Sequence, residues 1–181
     1  IAATSLMPII LFPLSDGLSL SDTTSSFGHR FVFLYLGGFI LALSIEKWNL
    51  HKRIALNIIK VIGTNIKKII LGFMVATAFL SMWISNTATS VMMLPIGIAI
   101  IKQMKNLKNT PENENLIFGK SLMLAIAFSA SIGGVATLIG TPPNIIFAGI
   151  IQEIYNIEIS FLEWFMFGFP ISIILLVIAW V

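Results

Sequence analysis

The sequence predicts an all-α membrane protein, a polytopic helical bundle holding a re-entrant helical hairpin and an unwound, broken transmembrane helix. Three observations carry this reading. Hydrophobic residues make up 57% of the 181 residues and charged ones only 10%, where a soluble domain has roughly a quarter of its residues charged. Mean hydropathy is +0.96. The uncharged runs are long enough to be measured against the roughly 17–25 apolar residues that cross a bilayer, and two of them carry polar or Gly/Pro-rich interruptions.

Taken in order, Ile1 to Leu14 is too short to cross and reads as the end of a span, followed by a polar stretch from Ser15 to His29 with Asp16 and Asp22. The next span is Phe31 to Ile45, short unless it starts near Gly28, and it closes on the interfacial anchor Glu46-Lys47-Trp48. Leu50 to Lys68 places Ile54, Ile58, Val61 and Ile62 among His51, Lys52, Arg53, Lys60, Lys67 and Lys68, the pattern of an amphipathic helix lying in the interface. These segments form a first region, residues 1–68.

Residues 69–101 carry no charge and are too long for one straight helix, yet too short for two full spans and a turn. Lys67 and Lys68 precede them, while Lys102, Lys105 and Lys108 follow, and the positive-inside rule puts both clusters on the cytoplasmic side. That makes the segment a hairpin whose tip is Ser85-Asn86-Thr87-Ala88-Thr89-Ser90. A cytoplasmic connection follows over residues 102–120, its polar part running from Asn106 to Glu114 with Pro111.

Residues 121–152 contain Gly133-Gly134 and Gly140-Thr141-Pro142-Pro143-Asn144. Tandem proline removes two backbone donors and disfavours helix at the residue before it. Two half-helices are therefore predicted, Ser121 to Ser131 and Asn144 to Ile151, joined by unwound backbone. Residues 153–181 begin with Glu153, Glu158 and Glu163, which suit the outer side, and end in a last span from Phe161 to Val181. On this topology Lys47, Lys52, Arg53, Lys60, Lys120 and the hairpin-flanking lysines share one face, with Arg30 opposite. The chain starts at Ile1 and both ends lie in apolar sequence, so it is expected to be a piece of a longer protein.

The pI of 9.3 does not point to nucleic acid, because the basic residues stand in short runs between apolar segments and the positive-inside rule accounts for them. The absence of cysteine excludes disulfides and thiol chemistry. Neither interrupted run contains Asp, Glu, His, Lys or Arg. An intramembrane proton relay is thereby missing, which favours sodium over proton coupling, and no catalytic constellation of an enzyme is present. His29 and His51 flank membrane segments and receive no role. Trp48, Trp164 and Trp180 fit interfacial positions, and Trp83 stands beside the tip.

Unwound backbone at membrane depth leaves polar groups unpaired, so it survives only against protein or a watery cavity. Broken helices in inverted-repeat carriers point positive half-helix ends at anions while freed carbonyls hold sodium. The hairpin offers Ser81, Ser85, Asn86, Thr87, Thr89 and Ser90 as neutral oxygens and amide donors, with a helix starting after Asn86 capped by Asn86 or Thr87. In the second break Gly133, Gly134 and Gly140 permit close backbone approach, and Thr137, Thr141 and Asn144 add side-chain oxygens. Any one of these small residues reads more simply as helix packing, as in the pairs Gly133/Thr137 and Gly140/Asn144. Two breaks together, one at a hairpin tip, favour a site.

The run Ser81-Met82-Trp83-Ile84-Ser85-Asn86-Thr87-Ala88-Thr89, followed by Met92-Met93-Leu94-Pro95, resembles the Ser-Asn-Thr hairpin of the divalent anion/sodium symporter family, whose members carry dicarboxylates, citrate or sulfate. Ser129 to Asn144 resembles the unwound helix of the same family. The resemblance implies one half of an inverted-repeat, elevator-type carrier in the cell membrane. It implies sodium (Na+) held by Ser81, Ser85 and Asn86 with backbone carbonyls from the loop of Gly133, Gly134 and Thr137. It implies a dianionic substrate contacted by Ser85, Asn86 and Thr87, with Thr141 and Pro142 from the second break. The expected partners are the dianion, sodium, the lipid bilayer, a C-terminal half with a second such motif, and a second copy in a homodimer. The rival readings are a carrier of another oxyanion, such as sulfate, citrate or an arsenite-type ion, and a non-transporting membrane assembly subunit. Ala136 departs from the pattern, since many relatives have glycine before the threonine.

Overall fold

The computed structural model describes residues 2–62, 65–105 and 112–181. Among these the chain is helical throughout: α1 (Ala2–Leu14), α2 (Leu20–Phe27), α3 (Arg30–Lys47), α4 (Leu50–Ile62), α5 (Ile66–Ser81), α6 (Asn86–Lys105), α7 (Glu112–Val135), α8 (Pro142–Tyr155) and α9 (Phe161–Trp180). Four stretches, Leu20–Lys47, Asn86–Met104, Asn115–Val135 and Phe161–Trp180, are long and apolar enough to cross a bilayer. Large apolar side chains such as Leu41, Phe167 and Ile178 stand exposed on them, as lipid contact requires. This is a multi-pass membrane protein.

The chain divides into two compact units, Ile1–Gly37 and Gly38–Val181. In the first, α1 packs on α2. The polar stretch after Leu14 folds as α2 because Ser19 caps it, its Oγ accepting the Asp22 N–H at 3.1 Å.

In the second unit α5, α6 and α7 form the core, with α4 against α5 and α9 against α7. Phe73, Ala76, Leu80, Met93, Phe118, Leu122 and Ile126 are the buried centre, joined by Ala55 of α4. α4 buries Ala55 and His51 and exposes Lys52 and Arg53, while Val61, expected on its apolar side, is exposed. Gly97 of α6 faces Leu122 and Ile126, and Gly119 of α7 faces Ile101, so these two helices run antiparallel. Ser160 and Glu163 start α9 with a capping box, Ser160 N–H donating to Glu163 Oε2 at 2.8 Å.

Several predicted boundaries shift. Lys67 and Lys68 belong to α5, not to α4. The hairpin turn is Met82 to Ser85, and Asn86 to Ser90, expected at the tip, are already the first turns of α6. The first half-helix begins at Glu112 rather than Ser121 and runs to Val135, so Gly133 and Gly134 are helical. The break is residues 136–141, and the prolines open α8 instead of preceding it. Proline needs no N–H in the first helical turn, so Pro142 and Pro143 are good starters. The connection predicted from Asn106 through Pro111, with Lys108, lies outside the described residues.

Candidate functional site

α5 and α7 each end, and α6 and α8 each begin, around one point. That point is Gly134. A methyl group on it would overlap the Asn86 side-chain oxygen, and one on Gly140 would lie 2.5 Å from the Gly134 carbonyl oxygen. A methyl on Gly133 would overlap the Ala78 carbonyl, so α5 and α7 meet backbone to backbone there. The glycines thus serve close approach rather than unwinding. Two helix C-termini bring carbonyls and partial negative charge, and two helix N-termini bring partial positive charge.

Ser81, at the end of α5, is fully buried. Its Oγ lies 2.8 Å from Asn86 Oδ1 and 2.6 Å from the Ala130 carbonyl oxygen of α7. A hydroxyl has one proton, so it satisfies one of these two acceptors at a time. One of the two is thus left without the Ser81 proton, and the surplus lone pairs suit a small cation. No three His, Cys, Asp or Glu side chains gather anywhere among the described residues, so a cation here meets neutral oxygens.

Ser85 caps α6, its Oγ accepting the Ala88 N–H at 3.3 Å while its carbonyl takes the Thr89 N–H at 2.9 Å. The cap is therefore Ser85, not Asn86 or Thr87. The N–H groups of Asn86 and Thr87 head the helix without an intrahelical acceptor. Thr87 is exposed, Ser85 and Asn86 half-buried. Trp83 is exposed and stacks on Phe161, ring centroids 6.4 Å apart.

The second break keeps its carbonyls paired through distant side chains. Asn144 Nδ2 donates to the Gly134 carbonyl at 3.0 Å and to the Thr137 carbonyl at 2.8 Å. Trp164 Nε1 donates to the Val135 carbonyl at 3.0 Å, and Ser172 Oγ to the Ile132 carbonyl at 2.9 Å. Thr137 Oγ1 donates to the Met82 carbonyl at 2.5 Å, which ties the break to the hairpin turn. Gly133 accepts from the Ala136 N–H at 3.1 Å.

Thr137, expected to lend a loop carbonyl to the cation, donates its hydroxyl to Met82 and its carbonyl accepts from Asn144, while Asn144, expected to add an oxygen, also donates through its amide nitrogen. At the head of α8, Thr141 makes no side-chain cap bond and Pro142 is exposed. The prolines leave α8 without free first-turn donors, since the Asn144 N–H already bonds the Thr141 carbonyl at 3.2 Å. α8 therefore offers its dipole and the Thr141 hydroxyl, and the free N–H groups belong to α6. Sequence reasoning missed Ala130, whose role is a main-chain carbonyl, and the bracing roles of Trp164 and Ser172. Trp164 has an interfacial pattern in sequence, and its bond to Val135 spans 29 positions.

A family model described as citrate transporter (CitMHS) matches residues 1–181. The chain is 52% identical over 182 aligned positions to the sodium-dependent dicarboxylate transporter SdcS of Staphylococcus aureus strain USA300, covering 99% of this chain and 35% of that protein. SdcS of strain NCTC 8325 / PS 47 matches to the same extent. The chain thus spans about a third of the length of the curated relatives it matches.

Proposed function

This chain belongs to the citrate transporter family, and from that premise we propose that it supplies one half of a sodium-coupled symporter of small divalent anions, C4-dicarboxylates foremost. The observation that carries the reading is the convergence of Ser81, Asn86 and Ala130 oxygens beside the free N–H groups of α6. The name of the S. aureus relatives supports both the ion and the substrate class.

In this reading Na+ takes the surplus lone pairs of Ser81 Oγ, Asn86 Oδ1 and the loop carbonyls near Gly134. Without the ion, the Asn86 amide turns over and gives Ser81 an N–H instead, so one side chain serves both states. Bound sodium fixes Oδ1 inward and cancels the carbonyl field. One carboxylate of the substrate then meets the Asn86 and Thr87 N–H groups, with the Ser85, Thr87 and Thr141 hydroxyls beside it. Each ligand raises the affinity of the other by the same factor.

α5 and α6 are the arms of a re-entrant hairpin entered from the cytoplasm, and residues 1–68 are scaffold. A C-terminal half carrying a second Ser-Asn-Thr hairpin completes the site, and two copies form the carrier. Transport, not enzymatic turnover, is its activity.

The test is sodium-driven uptake of labelled succinate by the full-length protein in proteoliposomes, with citrate and sulfate as competitors. Asn86→Ala is expected to abolish uptake while the protein still folds. Normal uptake by that variant would refute the site, and stronger competition by sulfate than by unlabelled succinate would shift the substrate to an inorganic oxyanion.

A further inference from the structure

Three buried hydroxyls, those of Thr77, Thr89 and Ser129, make no hydrogen bond among the described residues. Their residues are 0%, 1% and 0% exposed. Helical Ser and Thr usually donate to the carbonyl one turn earlier, as Thr23, Ser44 and Ser90 do here. These three do not, so their oxygens are free of their own helices.

They sit on three different helices, each near the contact of Ser81 with Asn86 and Ala130. Thr77 is one turn before Ser81 on the same face of α5 and precedes Ala78, which touches Gly133. Ser129 is one turn before Gly133 on α7 and adjoins Ala130, whose carbonyl accepts from Ser81. Thr89 is three residues into α6 from Asn86, which contacts Ser81 and Gly134. All three thus lie within a helical turn of the Ser81, Asn86 and Ala130 oxygens, on the side away from the α6 N-terminus.

We propose that Thr77, Thr89 and Ser129 form an inner cation subsite, one turn deeper than the Ser81–Asn86–Ala130 oxygens, that takes a small monovalent alkali cation. The inference rests on the sodium-coupled reading of the neighbouring site. Unpaired hydroxyls buried in an apolar bundle destabilise it, and a hard cation removes that penalty by using their lone pairs. The layer holds no carboxylate, so it suits a monovalent ion and takes part in the charge balance of a dianion. Ser81 and Ala130 stand between the two positions and link them.

The experiment uses the full-length protein, purified and reconstituted, with isosteric variants Thr77→Val, Thr89→Val and Ser129→Ala. Half-saturating sodium and the Hill coefficient for succinate uptake are read together with thermal stability in choline and in sodium buffers. Each variant is expected to need about tenfold more sodium and to lose steepness. Stability in choline stays level or rises, because an unpaired group is gone, while the sodium-induced rise shrinks. Thr77→Ser and Thr89→Ser keep an oxygen and retain the sodium response. Wild-type sodium dependence in all three isosteric variants overturns the subsite, and so does collapse of their stability in choline, which marks the hydroxyls as structural. A wild-type protein that ignores sodium refutes the parent reading, an outcome distinct from a sodium-responsive wild type with unaffected variants.

Discussion

Replacing Asn144 tests whether the break is held by the bonds seen at its carbonyls. Its Nδ2 group donates to Gly134 at 3.0 Å and to Thr137 at 2.8 Å, and the residue is 7% exposed. Asn144→Ala leaves the buried Gly134 carbonyl without this donor, at about 1–3 kcal/mol, while the Thr137 carbonyl keeps the Gly140 N–H at 3.3 Å. At about 1 kcal/mol the melting temperature falls by about 2–4 °C for a domain of 150–250 residues. Asn144→Asp is expected to be worse, because it sets carboxylate oxygens against the same carbonyls. The consequence should reach the site, since Gly134 abuts both Asn86 and Gly140. Thermal unfolding of the full-length protein in detergent, paired with sodium titration of succinate uptake, reads both effects. If Asn144→Ala melts within a degree of wild type and keeps its sodium dependence, these bonds do not hold the loop and the account of the break fails.

Ser81→Ala removes the hydroxyl between Asn86 and Ala130; half-saturating sodium in the uptake assay should rise about tenfold or more, the loss of one ligand oxygen. Gly134→Ala pushes a methyl into the Asn86 side chain, and overpacking of this kind costs about 1–3 kcal/mol. It should abolish uptake with only a modest fall in melting temperature. Trp164→Phe keeps the ring but loses the 3.0 Å bond to Val135; a loss of about 1 kcal/mol in unfolding free energy is expected, with sodium affinity moved less than by Asn144→Ala.

Much of the fold was legible because membrane helices announce themselves by length and apolarity, properties of contiguous residues. Phe161–Trp180 appears where the sequence put it, and α4 starts at Leu50 as expected but ends at Ile62. The polar turn Ser85-Asn86-Thr87 and the Gly/Pro cluster also stood out, because polarity and proline are costly in lipid. Boundaries were less legible. Gly133 and Gly134 were placed in the unwound stretch and are helical, and the close approach expected of them is made by Ala78 and Asn86, partners that the sequence did not name. Pro142 and Pro143 looked like the break itself, and they start α8.

By itself the sequence determined the solvent, which follows from composition, and it singled out Ser81, Ser85 and Asn86 as candidates from a motif read along the chain. Tertiary structure decided which atoms those residues meet. Ala130 contributes a carbonyl that any residue type would carry, so its sequence gives no sign of it. Thr137, Asn144, Trp164 and Ser172 turned out to brace carbonyls that only unwinding sets free, across separations of up to 55 positions. A main-chain oxygen has no sequence signature, and its partner is chosen by how the helices pack.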